Sequence, residues 1–91
     1  MISRKLYDNL DLYLGDVKNY IKNTYGEHYS NDIQVIDFIE SLGTLSTTSR
    51  DKAIKYLARY GRKSGKNKKD LYKAMHYVLF MLALDHPPVS R

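Results

Sequence analysis

A chain of 91 residues supports one domain with a single modest core and no more. With 43% hydrophobic and 27% charged residues it has the composition of a folded protein rather than a disordered one. The absence of cysteine removes disulfides, thiolate catalysis and zinc–cysteine sites together.

The first residues, MISRKLYDNLDLYLGD, carry acids every few positions and hold no apolar run long enough for a signal peptide or membrane span. A cytoplasmic protein without membrane association is expected. The net charge of +5 is unevenly spread: residues 48–73 hold ten basic and two acidic residues, whereas residues 1–47 hold four and seven. Basic character confined to one segment is the footprint of an anion site or a nucleic-acid contact.

In chain order, Leu6, Leu10, Tyr13, Leu14, Val17, Tyr20 and Ile21 recur at helical spacing. They predict a first helix over residues 3–24, with Gly26 placed as a left-handed cap. A second helix is expected over 31–42, with Asn31 as N-cap, a stripe of Val35, Ile36, Ile39 and Leu42, and Gly43 after it. The polar TLSTTS stretch supplies hydroxyls to cap a third helix, from Thr48 to Tyr60 or Gly61, whose inward residues are Ala53, Ile54, Leu57 and Tyr60. After a basic loop, Asn67 and Asp70 resemble a capping pair for a fourth helix that runs to Leu84. Its apolar face is Leu71, Met75, Val78, Leu79 and Leu82, and the two prolines of DHPPVSR end it. The expected fold is all-α, a compact bundle of four helices with short connections, forming one domain over residues 1–91.

The string GRKSGKN invites comparison with a phosphate-binding loop and fails it. Such a loop needs four residues between its first glycine and its Gly-Lys, then Ser or Thr, and it follows a strand. Gly61 and Gly65 enclose only three residues, Asn67 follows Lys66, and the preceding element is helical.

The third helix is more informative. At 100° per residue, Lys52, Lys55, Arg59 and Arg62 fall within about 80° of one another, a cationic stripe. Unrelieved like charge at this spacing costs a few tenths of a kcal/mol per pair, so it suits an anionic partner; a solvated basic surface is the alternative. Tyr56 borders the stripe and Tyr29 follows His28 in an earlier turn, where a ring can stack on a base while a cation takes phosphate. Each single tyrosine can equally serve packing. The candidate ligand-binding set is Lys52, Lys55, Tyr56, Arg59, Arg62 and Lys63, with His28 and Tyr29.

Asp37 and Glu40 sit at i and i+3 on the second helix, where they could hold Mg²⁺, pair with nearby Lys or Arg, or face water. His28, His76 and His86 are too scattered for a metal cluster, and no serine or threonine has a base beside it. No catalytic residue is assigned and no cofactor is expected, with magnesium required only for phosphoryl transfer.

EHYSNDIQVIDFIESLG, KAIKYLARYGRKSG and DLYKAMHYVL together resemble a small phage protein domain of unknown function. Its pattern reads HY…iE.id.I, then N.iKYl.R.g.K.g, then DL.KA..Yl, and it also forms part of the nucleotide kinase of podophages that lacks a P-loop. The resemblance covers residues 27 to 80, leaving the first helix free for assembly. It places His28, Tyr29, Asp37, Glu40, Lys55, Tyr56, Arg59, Lys63, Asp70, Leu71, Lys73 and Ala74 at the family's marked positions. Lys52 stands where that pattern commonly has asparagine, and His76 where it often has an aromatic residue.

Three function classes follow. The first is a non-catalytic nucleotide-binding protein, such as a phage sponge that sequesters a cyclic dinucleotide in the host cytoplasm. The second is a nucleotide kinase, which needs positioning and charge neutralisation more than a nucleophile. The third is a nucleic-acid-binding helical module contacting mainly phosphate. Leu6, Tyr13, Tyr20 and the VLFMLAL run exceed what so short a chain easily buries, so a homo-oligomer through the first and fourth helices is expected.

Overall fold

The computed structural model describes the backbone of residues 4–28 and 40–89, with side chains for 4–24 and 40–89. Among the described residues there are three α-helices and no strand: α1 (Arg4–His28), α2 (Leu45–Arg59) and α3 (Lys68–Asp85). The all-α expectation holds. The second helix expected over residues 31–42 lies outside the described residues except at its end, where Glu40 and Ser41 are helical. Gly43, at φ +76°, closes that turn by donating its N–H to the Glu40 carbonyl at 2.9 Å.

The chain divides into two units, Met1–Asp32 and Ile33–Arg91. In the first, α1 continues through Gly15 and Gly26 to His28, so Gly26 does not cap it. A glycine inside a helix costs only about 1 kcal/mol relative to alanine, too little to stop a helix flanked by good formers. Val17 is buried, Tyr20 and Ile21 are half-buried, and Leu6, Leu10, Tyr13 and Leu14 are exposed.

The second unit is built on an antiparallel hairpin of α2 and α3. The inner row of α2 is Leu45, Ser49 and Ala53, which faces α3, where Asp70 and Ala74 are buried. Small side chains at Ser49, Ala53 and Ala74 let the two backbones approach closely. Ile54 and Leu57, expected to face inward, are each 55% exposed. The reason is geometric: steps of four residues drift by about 40° each, so the row that begins at Leu45 has swung outward by Leu57. The step of three from Ala53 to Tyr56 returns to the inner face, and Tyr56 and Tyr60 are half-buried. On α3, Met75, Val78, Leu79 and Leu82 are likewise exposed, leaving Leu71 half-buried.

Polar contacts pin both ends of the hairpin. At the open end the Ser46 hydroxyl lies 3.0 and 3.1 Å from the two carboxylate oxygens of Asp85. α2 begins at Leu45 rather than Thr48, so Ser46 lies inside its first turn. Thr44 makes no side-chain cap bond, and Ser46 is drawn instead to a carboxylate, a stronger acceptor than a neutral one.

At the closed end the chain leaves α2 through Tyr60 (φ −59°, ψ 124°) and Gly61 (φ +82°), and the Arg62 N–H returns to the Arg59 carbonyl at 2.9 Å. Those angles define a type II turn, whose third position demands positive φ. Ser64 and Gly65 also take positive φ, and the Gly61 N–H donates to the Gly65 carbonyl at 2.9 Å, closing the loop on itself.

The two glycine classes make opposite predictions. Gly61→Ala forces a side chain into the left-handed region and should lower stability by about 1 kcal/mol. Gly15→Ala adds a methyl that meets nothing within 4 Å and should raise it by up to about 1 kcal/mol. Thermal unfolding of the two variants checks both signs.

Candidate functional site

The closed end of the hairpin carries the basic segment and an acid at its centre. Arg59 Nε lies 3.6 Å from Asp70 Oδ1; the Asp70 side chain is 6% exposed and that of Arg59 34%. Asp70 is the third residue of α3, where the helix dipole favours negative charge and a capping pair would turn the carboxylate back to Asn67. Only half of that pair forms. Asn67 Oδ1 accepts the Lys69 N–H at 2.9 Å, while the Asp70 carboxylate turns across the hairpin to Arg59. Asp70 Oδ2 and Arg59 Nε are buried without a hydrogen-bond partner among the described residues, so the contact is ionic rather than a formed hydrogen bond.

This pair and the type II turn divide the expected cationic stripe. Lys52 and Lys55 remain on α2, half-buried and exposed respectively. Arg59 is turned toward α3. Arg62 lies past the end of α2, because the turn at Tyr60 and Gly61 redirects the chain, and it is exposed with Lys63 in the loop.

One helical turn before Arg59, aromatic and cationic groups converge. The Tyr56 and Tyr77 rings stack across the hairpin, with centroids 6.1 Å apart and planes inclined by 8°. Over the Tyr56 ring stand two ammonium groups, Lys55 Nζ at 5.3 Å and Lys73 Nζ at 5.2 Å from its centroid. Tyr77 meets Phe80 edge-on at 6.0 Å, and His76 packs 4.5 Å from Phe80. Burial against these rings pulls the His76 imidazole below its ordinary pKa.

The sequence singled out Tyr56 and Lys55 but did not group them with Lys73 and Tyr77. The missing information is register: a ring on α2 can be assigned a cation on α3 only once the two helices are aligned. The side chain of His28, and the whole of Tyr29 and Asp37, lie outside the described residues. Glu40 is exposed, and among the described residues no group of three or more His, Asp or Glu is arranged to hold a metal ion. Among the same residues, no helix is long and apolar enough to cross a membrane.

Residues 21–79 match the family described as protein of unknown function, DUF3310. The chain belongs to this family. No curated protein and no solved structure matches it.

The DUF3310 region takes in all of α2, the loop and α3 as far as Leu79. It therefore contains the Arg59–Asp70 pair and the cluster of Lys55, Tyr56, Lys73 and Tyr77, and excludes Asp85 and most of α1.

The buried carboxylate sets an order of stability. Arg59→Met strips Asp70 of its counter-charge where water cannot replace it, and should cost about 1–3 kcal/mol. Asp70→Asn leaves a guanidinium that solvent can reach, and should cost under about 1 kcal/mol. Urea unfolding of both variants tests the ranking; equal costs would show that the pair carries no net charge requirement.

His76 gives a pH dependence. Its native pKa is lowered, so below about 6.5 the unfolded chain binds more protons at this site than the native one. That contribution to stability is intact above about 6.5 and is lost as the pH falls through the window beneath it. His76→Phe should flatten the corresponding part of the melting temperature's pH profile between pH about 5 and 7.

Proposed function

We propose that this DUF3310 chain is a small nucleotide-binding protein of phage type, a sponge that captures a signalling nucleotide such as a cyclic dinucleotide without transforming it. The observation that carries this reading is the convergence of Lys55 and Lys73 on the Tyr56 ring, beside a loop that adds Arg62 and Lys63. Ammonium groups beside a ring are the chemistry that takes phosphate and base together. The resemblance to a domain found in a P-loop-less nucleotide kinase points to the same ligand class. Capture rather than turnover is favoured because the acidic pair Asp37 and Glu40 is the only magnesium-holding arrangement the sequence offers, and phosphoryl transfer leans on metal for charge neutralisation.

Capture by so small a chain also favours sites shared between copies. Exposed large apolar side chains, Leu6, Leu10, Leu12, Tyr13 and Leu14 on α1 and Val78, Leu79 and Leu82 on α3, support a homo-oligomer.

Native mass spectrometry of the protein purified from infected cells tests both statements at once. The expected spectrum shows more than one subunit carrying a nucleotide, which is released chemically intact on denaturation and retained in EDTA. Phosphate moved between nucleotides with a magnesium requirement would replace this reading with the kinase one. Binding that strengthens with oligonucleotide length and collapses with salt would replace it with nucleic-acid recognition.

A further inference from the structure

We infer that Lys55 and Lys73 form a two-ammonium clamp, one arm from each helix of the hairpin, which takes a ligand through two negative charges held beside the Tyr56 ring. The inference rests on the nucleotide-binding reading above and names the part of the surface that does the binding and the charge it selects.

The geometry is unusual for packing alone. A cation over a tyrosine ring contributes about 0.5–1 kcal/mol at an exposed site, and one lysine suffices for that. Here two ammonium groups stand 5.3 and 5.2 Å from the same centroid, where they repel one another. Neither finds a carboxylate among the described residues: Asp51, one turn before Lys55, makes no ion pair with it, and Asp70, three residues before Lys73, is turned to Arg59. The acid that could have neutralised the site is thus held at the neck of the hairpin. The ring that both ammonium groups approach is itself held in place, because Tyr56 stacks on Tyr77 across the hairpin.

A pair of unneutralised cations fixed by a stacked ring favours two negative charges over one. Two ligand chemistries supply them: a terminal phosphate monoester, which is largely dianionic at neutral pH, and a pair of phosphodiesters in one molecule. In both, the charge lies close to a planar base that a tyrosine edge or face can meet.

The test is calorimetric titration of the full chain with four probes: adenosine, 3′,5′-cyclic AMP, 5′-AMP and cyclic di-AMP, which carry zero, one, two and two negative charges. Each is measured on the wild type, on Lys55→Met, on Lys73→Met and on the double variant, with melting curves confirming that the methionine stems keep the fold. The expected result is that a two-charge probe binds at least tenfold more tightly than cyclic AMP. Lys73→Met should weaken that probe about tenfold and cyclic AMP less than threefold, and the double variant should lose less than the product of the single losses. Which two-charge probe wins distinguishes the monoester source from the diester one. Unchanged affinity in Lys73→Met, alongside a loss in Arg62→Met or Lys63→Met, would overturn the clamp while leaving nucleotide binding standing. No binding of any probe by the wild type, with no nucleotide on the protein purified from infected cells, would overturn the clamp and the reading beneath it together.

Discussion

Everything described at the closed end of this protein depends on how closely α2 approaches α3. That approach is set by small side chains: Ser49, Ala53 and Ala74 are almost wholly buried, and among the described residues of this unit no large apolar side chain except Leu45 is buried with them. Full burial of one leucine contributes about 1.5–3 kcal/mol, so the hairpin is not held by a large apolar interior of its own. Its alignment relies instead on polar pairs at the two ends, Ser46 with Asp85 and Arg59 with Asp70, and on the tyrosine stack between them. All of these share one antiparallel register, and a slip of one residue would break every pair at once.

Arg59 is placed differently by sequence and by structure. By sequence it belongs to a stripe of cations, and by structure it is the counter-charge of a buried acid. Arg59 is held by Asp70, whereas among the described residues Lys55 and Lys73 pair with no carboxylate. The type II turn at Tyr60 and Gly61 in turn parts Arg59 from Arg62, which lies exposed in the loop beyond it. The same turn explains why GRKSGKN looks like a phosphate loop and is not one. Its glycines serve positive φ, and the Gly61 N–H is spent on the Gly65 carbonyl rather than offered to a ligand.

Read as a sequence, the chain determines that it is helical, because apolar residues recur at three and four and the Gly and Pro punctuation falls between those runs. It determines that Asn67 starts a helix, that Gly43 ends one, and that basic charge is confined to one segment, all of which are local facts. Local rules mislead where a competing partner lies far along the chain. Local rules assign the hydroxyls of TLSTTS and the carboxylate of Asp70 to capping, because capping is what such groups do within four positions; Ser46 and Asp70 are each claimed by a charged group on the other helix. Helical spacing assigns Leu57 to the core, but spacing cannot say which edge of an apolar stripe another helix will cover, and Leu57 is exposed. Only the tertiary structure decides that Lys73 and Tyr77 stand with Lys55 and Tyr56, since that depends on the register of two helices, and register is fixed by packing of small residues and by the polar pairs across the hairpin.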